Sequence, residues 1–504
     1  MPEIELKLQV PNARRAAVDA AVAGRSPQPR MRLRAAYLDT ADRALAAAAL
    51  ALRLRREGRQ WVQTLKGAGN DGLTRAEHNT PRGAGAAMPP VEPMLHAGTP
   101  VGDRLIALLG ADPNLQTLYR TDIQRRSRAL PVRAPGRAAA RVELAFDTGS
   151  IVAGDAAIVV CELEIELLAG TPLAVIDTAR RWLPRFGLWI DVRSKAERGD
   201  LLARGERVAP ARVGAKLRLD SQMSADAAWQ AVLRNCAETI LANASQIASG
   251  EHAPEHVHQL RVGLRRLRSA MALFERNDAV LGNGATALFR ALGAARDSVV
   301  IEAEFGADLS AAMRGAGVVA GTAPPGASVD SIKSLPPPAL LRAPATQTWL
   351  LDLLASMHAA PAAARDALAL DEAPLRKRLA ARLNRWHREL VADAKHYAAL
   401  DDAARHRLRK RAKRLRYAAE FCAALFERRE LRRYLKALGA LQERLGAVSD
   451  ALMAIEVFSP QARSDPHAMF ALGWLTARKE ALVAAAAPAL KAFAKTERFW
   501  KAHG

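Results

Sequence analysis

The chain runs to 504 residues and carries 74 Lys and Arg against 52 Asp and Glu, a formal net charge of +22; half of its residues are hydrophobic and a quarter charged. That length calls for two to four domains, and that balance excludes a disordered or fibrous chain while pointing to a polyanionic partner, whether nucleic acid, an anionic membrane or a phosphate polymer. Three scattered cysteines, Cys161, Cys236 and Cys422, exclude a disulfide framework and match no zinc spacing. With no basic-then-apolar leader and no run of 18 uncharged apolar residues, we expect a cytoplasmic protein without a membrane span.

The chain opens on EIELKL at residues 3–8, where strict alternation predicts a β-strand with one apolar face and its charges on the other. Short alternating segments continue at 50–56, 60–66, 140–151 and 159–170, with helical stretches at 11–23, 101–110 and 173–186. After about residue 220 the period changes to that of long amphipathic helices rich in Ala, Leu and Arg. We therefore expect an α+β domain over 1–205, a linker over 206–220 and an all-α domain over 221–504. A Gly- and Pro-rich loop at 315–338 divides the last into 221–314 and 339–504. Residues 1–200 hold 29 basic and 22 acidic side chains, leaving 45 and 30 for the remainder, so the helical half carries most of the positive excess.

That half repeats itself. HQLRVGLRRLR from His258 and HRLRKRAKRLR from His406 share one pattern, each followed by a Leu-Gly pair and an aspartate, in LGAARD at 292–297 and LGAVSD at 445–450. At about 100° per residue, His258, Arg261, Arg265 and Arg268 fall within roughly 80° of arc, beside an apolar seam of Leu260, Leu264, Leu267 and Met271. In the second copy His406, Arg409, Lys413 and Arg416 make the stripe, and Leu408, Ala412 and Leu415 the seam. Solvated helix faces intersperse acids with their bases, yet 256–274 and 403–419 contain none. With neighbouring Arg266 and Arg414, these residues form candidate polyanion contacts. Tyr417 is the lone aromatic among them, which disfavours stacking on single-stranded bases.

The strands segregate their charges. Glu3, Glu5 and Lys7 share a face; so do Arg53 and Arg55, then Val62, Thr64 and Lys66, then Arg141, Glu143, Ala145 and Asp147, then Glu162, Glu164 and Glu166. A sheet curled into a barrel with these faces inward explains the pattern. Clustered carboxylates suit Mg²⁺ or Mn²⁺, and clustered Arg and Lys clamp phosphate oxygens. No GxxxxGK[ST] loop occurs, which argues against a P-loop nucleotidase.

The order ExExK, YLDT (37–40), LRLRR (52–56), TLKG (64–67), ELAFDTG (143–149), ELEIEL (162–167) and SKAERG (194–199) resembles the CYTH domain of the triphosphate tunnel metalloenzymes. The resemblance implies an eight-stranded antiparallel tunnel that hydrolyses triphosphates with a divalent metal. It implies Glu3, Glu5, Glu162 and Glu164 as metal ligands and Lys7, Arg53, Arg55, Lys66, Arg120 and Lys195 as phosphate binders. Asp147 then binds metal or orients water, and Glu143 assists. Glu166 and Arg141 either join the site or form structural ion pairs at its mouth; Arg75 and Glu77, in LTRAEHN, also occupy a place the family uses. The repeated helical half resembles the CHAD domain, which implies binding of inorganic polyphosphate, with the histidines as phosphate donors or as packing groups. The expected function is hydrolysis of inorganic tripolyphosphate beside a module for long-chain polyphosphate, with attachment to polyphosphate granules. The alternatives are an organic triphosphate hydrolase, an adenylate cyclase-like enzyme, or a non-catalytic binder of polyphosphate or nucleic acid.

Overall fold

The computed structural model describes residues 3–25, 28–67, 73–110, 114–133, 138–293, 301–318, 335–359 and 374–501, without the side chains of Arg75, Glu302 and Ala303. They fall into two compact units: 1–213 with 237–260 and 338–360, and 214–236 with 261–337 and 361–504. The first cut falls inside 206–220, a stretch without helix or strand.

The first unit contains β1 (Glu3–Gln9), β2 (Met31–Asp39), β3 (Leu50–Glu57), β4 (Gln60–Gly67), β5 (Thr74–Ala84), β6 (Gln116–Val132), β7 (Ala140–Ala153), β8 (Ala156–Ala169) and β9 (Trp189–Ile190). Their order is β5-β4-β3-β2-β6-β7-β8-β1-β9, and β1 also pairs with β5 through Glu3 opposite Arg75 and Ile4 opposite Thr74. Eight antiparallel strands thus close into a ring, as expected from the sequence. The ninth is a two-residue addition beside Leu8 and Gln9. Three of these strands, β2, β5 and β6, lack the clean alternation that marked the others.

Period-two patterning puts one face of each strand outward. Leu6 and Leu8 of β1, Leu144 and Phe146 of β7, and Leu163 and Ile165 of β8 are buried on that outer face. The helix α1 (Arg15–Ala23) packs against β6 and β7. Leu45 of α2 (Ala44–Ala47) and Val101 and Leu105 of α3 (Pro100–Leu109) cover Leu50, Leu52 and Leu65. The helix α4 (Leu173–Phe186) lies over β1, β7 and β8. The last helix of this group, α5 (Lys195–Ala203), starts from a capping box of Ser194 and Glu197, which satisfies the orphan N–H groups of its first turn. Its Leu202 joins Leu33, Tyr37, Tyr119, Ile123, Ile151 and Val160 in an apolar plug on the inner faces of the strands. Ile190 N donates to Gln347 Oε1 (2.8 Å) and Val192 N to Ser245 Oγ (3.0 Å), tying the segments 237–260 and 338–360 to the sheet.

The helical half runs through α6 (Ala225–Ala248), α7 (Pro254–Leu273) and α8 (Ala279–Ala291), and later through the helices Leu375–Ala394, Asp402–Phe421, Arg428–Phe458 and Pro466–Ala494. Both copies of the repeat are helical, on α7 and on Asp402–Phe421. Their seams, Leu260, Leu264 and Leu267 and then Leu408, Ala412 and Leu415, have no exposed surface. Of the loop read at 315–338, residues 319–334 lie outside the described residues, as does Asp297 of LGAARD. No helix of the described residues is long and apolar enough to cross a membrane.

Candidate functional site

Inside the ring, β1, β8 and β7 lie side by side, and their register sets inward residues in three rows. Glu5, Glu166 and Glu143 make the first row, Lys7, Glu164 and Ala145 the second, and Gln9, Glu162 and Asp147 the third. Carboxylate oxygens of Asp147, Glu162 and Glu164 lie within 4.8 Å of one another, and Asp147 and Glu162 are fully buried. Lys195, the first residue of α5, sets its ammonium 2.7 Å from Asp147 and 2.8 Å from Glu164, and also pairs with Glu162. Arg125 of β6 donates to both Asp147 oxygens at 2.7 Å and to Glu164. Arg198, three residues after Lys195 on α5, reaches Glu162.

Burial alone would protonate such carboxyls. Here burial is outweighed by Arg198 and Lys195 at Glu162, and by Lys195, Arg125 and Lys7 at Glu164, so both are held below the ordinary carboxylate range. The same pairing lifts Lys195 and Arg125 above their ordinary values despite burial. Three carboxylates gathered in a buried cluster fit a hard divalent cation.

Glu3 and Glu5 lie on rows away from that trio. Lys66 Nζ stands 2.7 Å from Glu3 and 2.5 Å from Glu77, while Glu5 pairs with Lys7. Burial pushes Glu3 up to about 8. At Glu77 burial is outweighed by the hydrogen bond from Glu3 and the charge of Lys66, which hold it low. Burial, then Glu5 and Glu143, raise Glu166.

Arg53 and Arg55 of β3 provide a contrasting wall. Arg53 donates to the Tyr37 hydroxyl at 3.2 Å, and Arg55, which pairs with Glu57, lies in the field of Arg53 and Arg125. Burial and those two charges lower its pKa. The Nε atoms of both arginines are buried and meet no acceptor among the described residues, an arrangement that leaves donors for an anion.

On the helices, Arg261 donates to the Phe289 carbonyl at 3.4 Å, and both it and Arg265 lie over the Phe289 ring. Burial and Arg290 lower Arg268; burial, Arg268 and Arg290 lower Lys410. Exposed His406 is lowered by partial burial and by Lys410, Arg409 and Lys413. Arg409 is anchored by Ser449 Oγ (2.9 Å) and Asp450 (3.3 Å), and Arg416 by Glu420 (2.9 Å) and Gln442 (3.2 Å).

Residues 1–199 match the CYTH domain family and residues 231–459 the CHAD domain family. The chain is a CYTH domain followed by a CHAD domain. It is similar to an inorganic triphosphatase of Haemophilus influenzae, 28% identical over 173 residues that cover 33% of this chain and 44% of that relative; the match thus spans less than half the relative's length. Among solved structures, the CHAD domain from the plant Ricinus communis is 29% identical, covers 58% of this chain and 98% of that one, and gives a TM-score of 0.46. A putative adenylyl cyclase from Hippeastrum with a dominant triphosphatase activity is 18% identical, covers 40% of this chain and 96% of that one, and gives a TM-score of 0.28.

Within the CYTH domain the inner face holds Glu3, Glu5, Lys7, Arg53, Arg55, Lys66, Asp147, Glu162, Glu164 and Lys195, but Arg120 is a correction. It stands opposite Ala36 on β2 and is exposed, while Tyr119, Thr121, Ile123 and Arg125 take the inner positions. Because β6 carries arginines at both phases, its polarity does not tell which one turns inward. Arg125 and Arg198 were missed. The first had no signal in β6 itself, and the second only its place one turn beyond Lys195. Arg141 is exposed near the end of β7; Arg75 pairs with Glu3 by its backbone, and its side chain lies outside the described residues.

Within the CHAD domain Arg266 and Arg414, matching positions of the repeat, depart from the stripe. Arg266 is buried, donating to Asn235 Oδ1 (3.0 Å) and Glu420 (3.1 Å) with its guanidinium 4.7 Å from the Phe421 ring centre. Arg414 stacks 4.3 Å over Trp386 and pairs with Glu389 at 3.8 Å. Both hold neighbouring helices together, since their helical angle turns them toward the bundle.

Proposed function

We propose that the CYTH domain hydrolyses inorganic triphosphate inside its closed sheet with a divalent cation, and that the CHAD domain binds long-chain inorganic polyphosphate. The observation that carries this reading is the opposition of two walls: the carboxylate trio Asp147, Glu162 and Glu164 on one, and Arg53 and Arg55 with unpaired buried donors on the other. A Mg²⁺ or Mn²⁺ held by the trio would supply charge neutralisation and favour ionisation of an attacking water. Arg53, Arg55, Lys66 and Lys195 bind and orient the phosphates, and positioning with charge stabilisation supplies most of the catalysis in such transfers. Tyr37, the aromatic ring on this inner face nearest Arg53, is stacked on Tyr119 (4.7 Å), so it offers no free platform for a nucleobase. On the CHAD domain, Arg268, Arg290 and Lys410 crowd one another, and burial and the cations among them lower Arg268 and Lys410, which supports a polyanion there and, through it, association with cytoplasmic polyphosphate granules.

The test is a phosphate-release panel over tripolyphosphate, ATP, thiamine triphosphate and long polyphosphate, with Mg²⁺, with Mn²⁺ and in excess EDTA. Fastest release from tripolyphosphate, lost in EDTA, is the expected result. Preference for ATP or thiamine triphosphate would make the domain an organic triphosphate hydrolase or cyclase-like enzyme. Absence of turnover on all four would leave a binding protein.

A further inference from the structure

A second feature of the helical half lies away from both stripes. The C-terminal turn of the helix Leu375–Ala394 and the residues following the helix Pro466–Ala494 bound a cavity of about 680 Å³, within the size range of small-ligand sites. Arg388, Lys395, Lys495, Arg498 and Lys501 line it, against the acids Glu430 and Glu497. Two helix C-termini add about one negative charge between them, leaving an excess near +2, close to the charge of a phosphate monoester at neutral pH. Lys395 and Lys495 stand at those helix ends and would be present there for capping alone; Arg388, Arg498 and Lys501 exceed that need.

One wall is built on an imidazole packed among aromatic rings. His387, only 6% exposed, meets the Tyr434 hydroxyl through Nδ1 at 2.9 Å, with its ring 5.3 Å from that of Phe493 and 5.8 Å from that of Trp500. Val391, Ala392 and Ala494 continue that wall with aliphatic surface. Arg498, which lines the cavity, donates to Asn384 Oδ1 at 2.8 Å, an anchor for its guanidinium. A polymer of phosphates would gain nothing from an imidazole packed on aromatic rings, whereas a ligand with one phosphate and one ring uses both kinds of wall.

We propose that this cavity is a separate site for a small phosphate monoester bearing a ring, of the nucleoside monophosphate class. The cations take the phosphate, and the ring lies along His387 and Val391. The site shares no residue with the stripes, so it stands or falls independently of the polyphosphate reading.

The full-length protein, labelled with ¹⁵N-histidine, is titrated with adenosine monophosphate, ribose 5-phosphate, inorganic phosphate and adenosine; loss of one signal in His387→Gln assigns the reporter. Adenosine monophosphate should shift the His387 signal with a Kd below about 1 mM, and phosphate and ribose 5-phosphate should bind at least about tenfold more weakly. Lys501→Glu with Lys495→Glu should weaken the monophosphate about tenfold or more, with circular dichroism and tripolyphosphate hydrolysis unchanged; Lys501→Gln with Lys495→Gln gives the same direction if charge reversal disturbs folding. An unmoved His387 signal, adenosine binding as well as its monophosphate, or affinity indifferent to both pairs of variants would overturn the proposal.

Discussion

Inside the closed sheet, Lys195 and Arg125 are buried against Asp147, Glu162 and Glu164, whereas on the helices Arg268, Arg290 and Lys410 crowd one another beside solvent. Both regions are rich in cations, but the first sets Lys195 and Arg125 against buried carboxylates, the drier of the two, and the second, among the described residues, leaves its cations exposed and wet. Buried opposite charges fix one another's positions at a large desolvation cost, which suits a site where reacting groups must be held in place. Exposed like charges lose a modest amount of energy to repulsion and recover it when a polyanion arrives, releasing counterions as it binds. On the proposed reading the same residue types build a reaction chamber in one place and a docking face in the other, and among the described residues the difference lies in the carboxylates buried beside the first set.

The largest expected effect comes from unbalancing the dry site. Glu162→Gln removes the carboxylate shared by Lys195 and Arg198. Tripolyphosphate hydrolysis should fall by more than the roughly 10–100-fold that loss of an outer group supporting a metal costs. The melting temperature should fall as well, because buried Arg198 loses its carboxylate partner and buried Lys195 one of three, a loss of the order of 3–5 kcal/mol. Hydrolysis within a factor of two of the parent, measured by phosphate release, would separate Glu162 from the chemistry.

Next comes the wet face. Arg265→Glu with Lys413→Glu should weaken long-chain polyphosphate about tenfold or more and lower the salt slope of binding by about one unit per lost contact. Tripolyphosphate turnover should stay within twofold. Competition titration against single-stranded and duplex DNA, at matched phosphate concentration, sharpens the contrast: DNA winning at physiological ionic strength would make the face a nucleic-acid surface.

How much of this was legible in the sequence follows from the two periods. β1 and β8 alternate without a break, so Glu3, Glu5, Lys7, Glu162 and Glu164 declare their shared face, and register then only has to bring the strands together. In β6, arginines stand at positions 120, 125, 126 and 128, and alternation cannot choose between Arg120 and Arg125 without the neighbouring strand. Arg198 stands one turn beyond Lys195, but it reaches Glu162 only through the way α5 enters the ring, a tertiary fact. On the helices, angle alone separated the seams from the stripes; Arg266 and Arg414 lie just off the stripe, and it is Glu420 and Glu389 on neighbouring helices that claim them.

A smaller effect tests whether the chamber stands by itself. Every residue of the proposed chemistry precedes position 205, so a chain ending there should keep hydrolysing tripolyphosphate. It should nonetheless melt several degrees lower, because Ile190 N and Val192 N lose Gln347 and Ser245, and Arg180 loses Asp352, its partner at 2.5 Å. Each hydrogen bond exchanged for water costs about 0.5–1.5 kcal/mol, and in a domain of this size each kcal/mol is worth roughly 2–4 °C. A folded but inert fragment, judged by circular dichroism and phosphate release together, would show that the helical segments complete the site as well as steady it.

The smallest effect concerns a group outside both regions. His96 has no exposed surface; its Nδ1 lies 2.8 Å from Nδ1 of His78 and its Nε2 3.1 Å from Gln63. Burial, with His78 beside it, depresses its pKa to about 4. In the unfolded chain the imidazole takes up its proton near pH 6.5, so between pH 6.5 and 4 the unfolded state binds more protons than the folded one. Stability contributed by neutral His96 is therefore complete above about pH 6.5 and declines as the pH falls toward 4. Melting temperatures across that window should drop with acidification in the parent and drop less steeply in His96→Gln, which keeps a polar side chain but cannot titrate. Parallel slopes in the two proteins would mean that His96 takes up its proton in the folded state as readily as in the unfolded one, and that the His78–His96 contact is made by a charged ring.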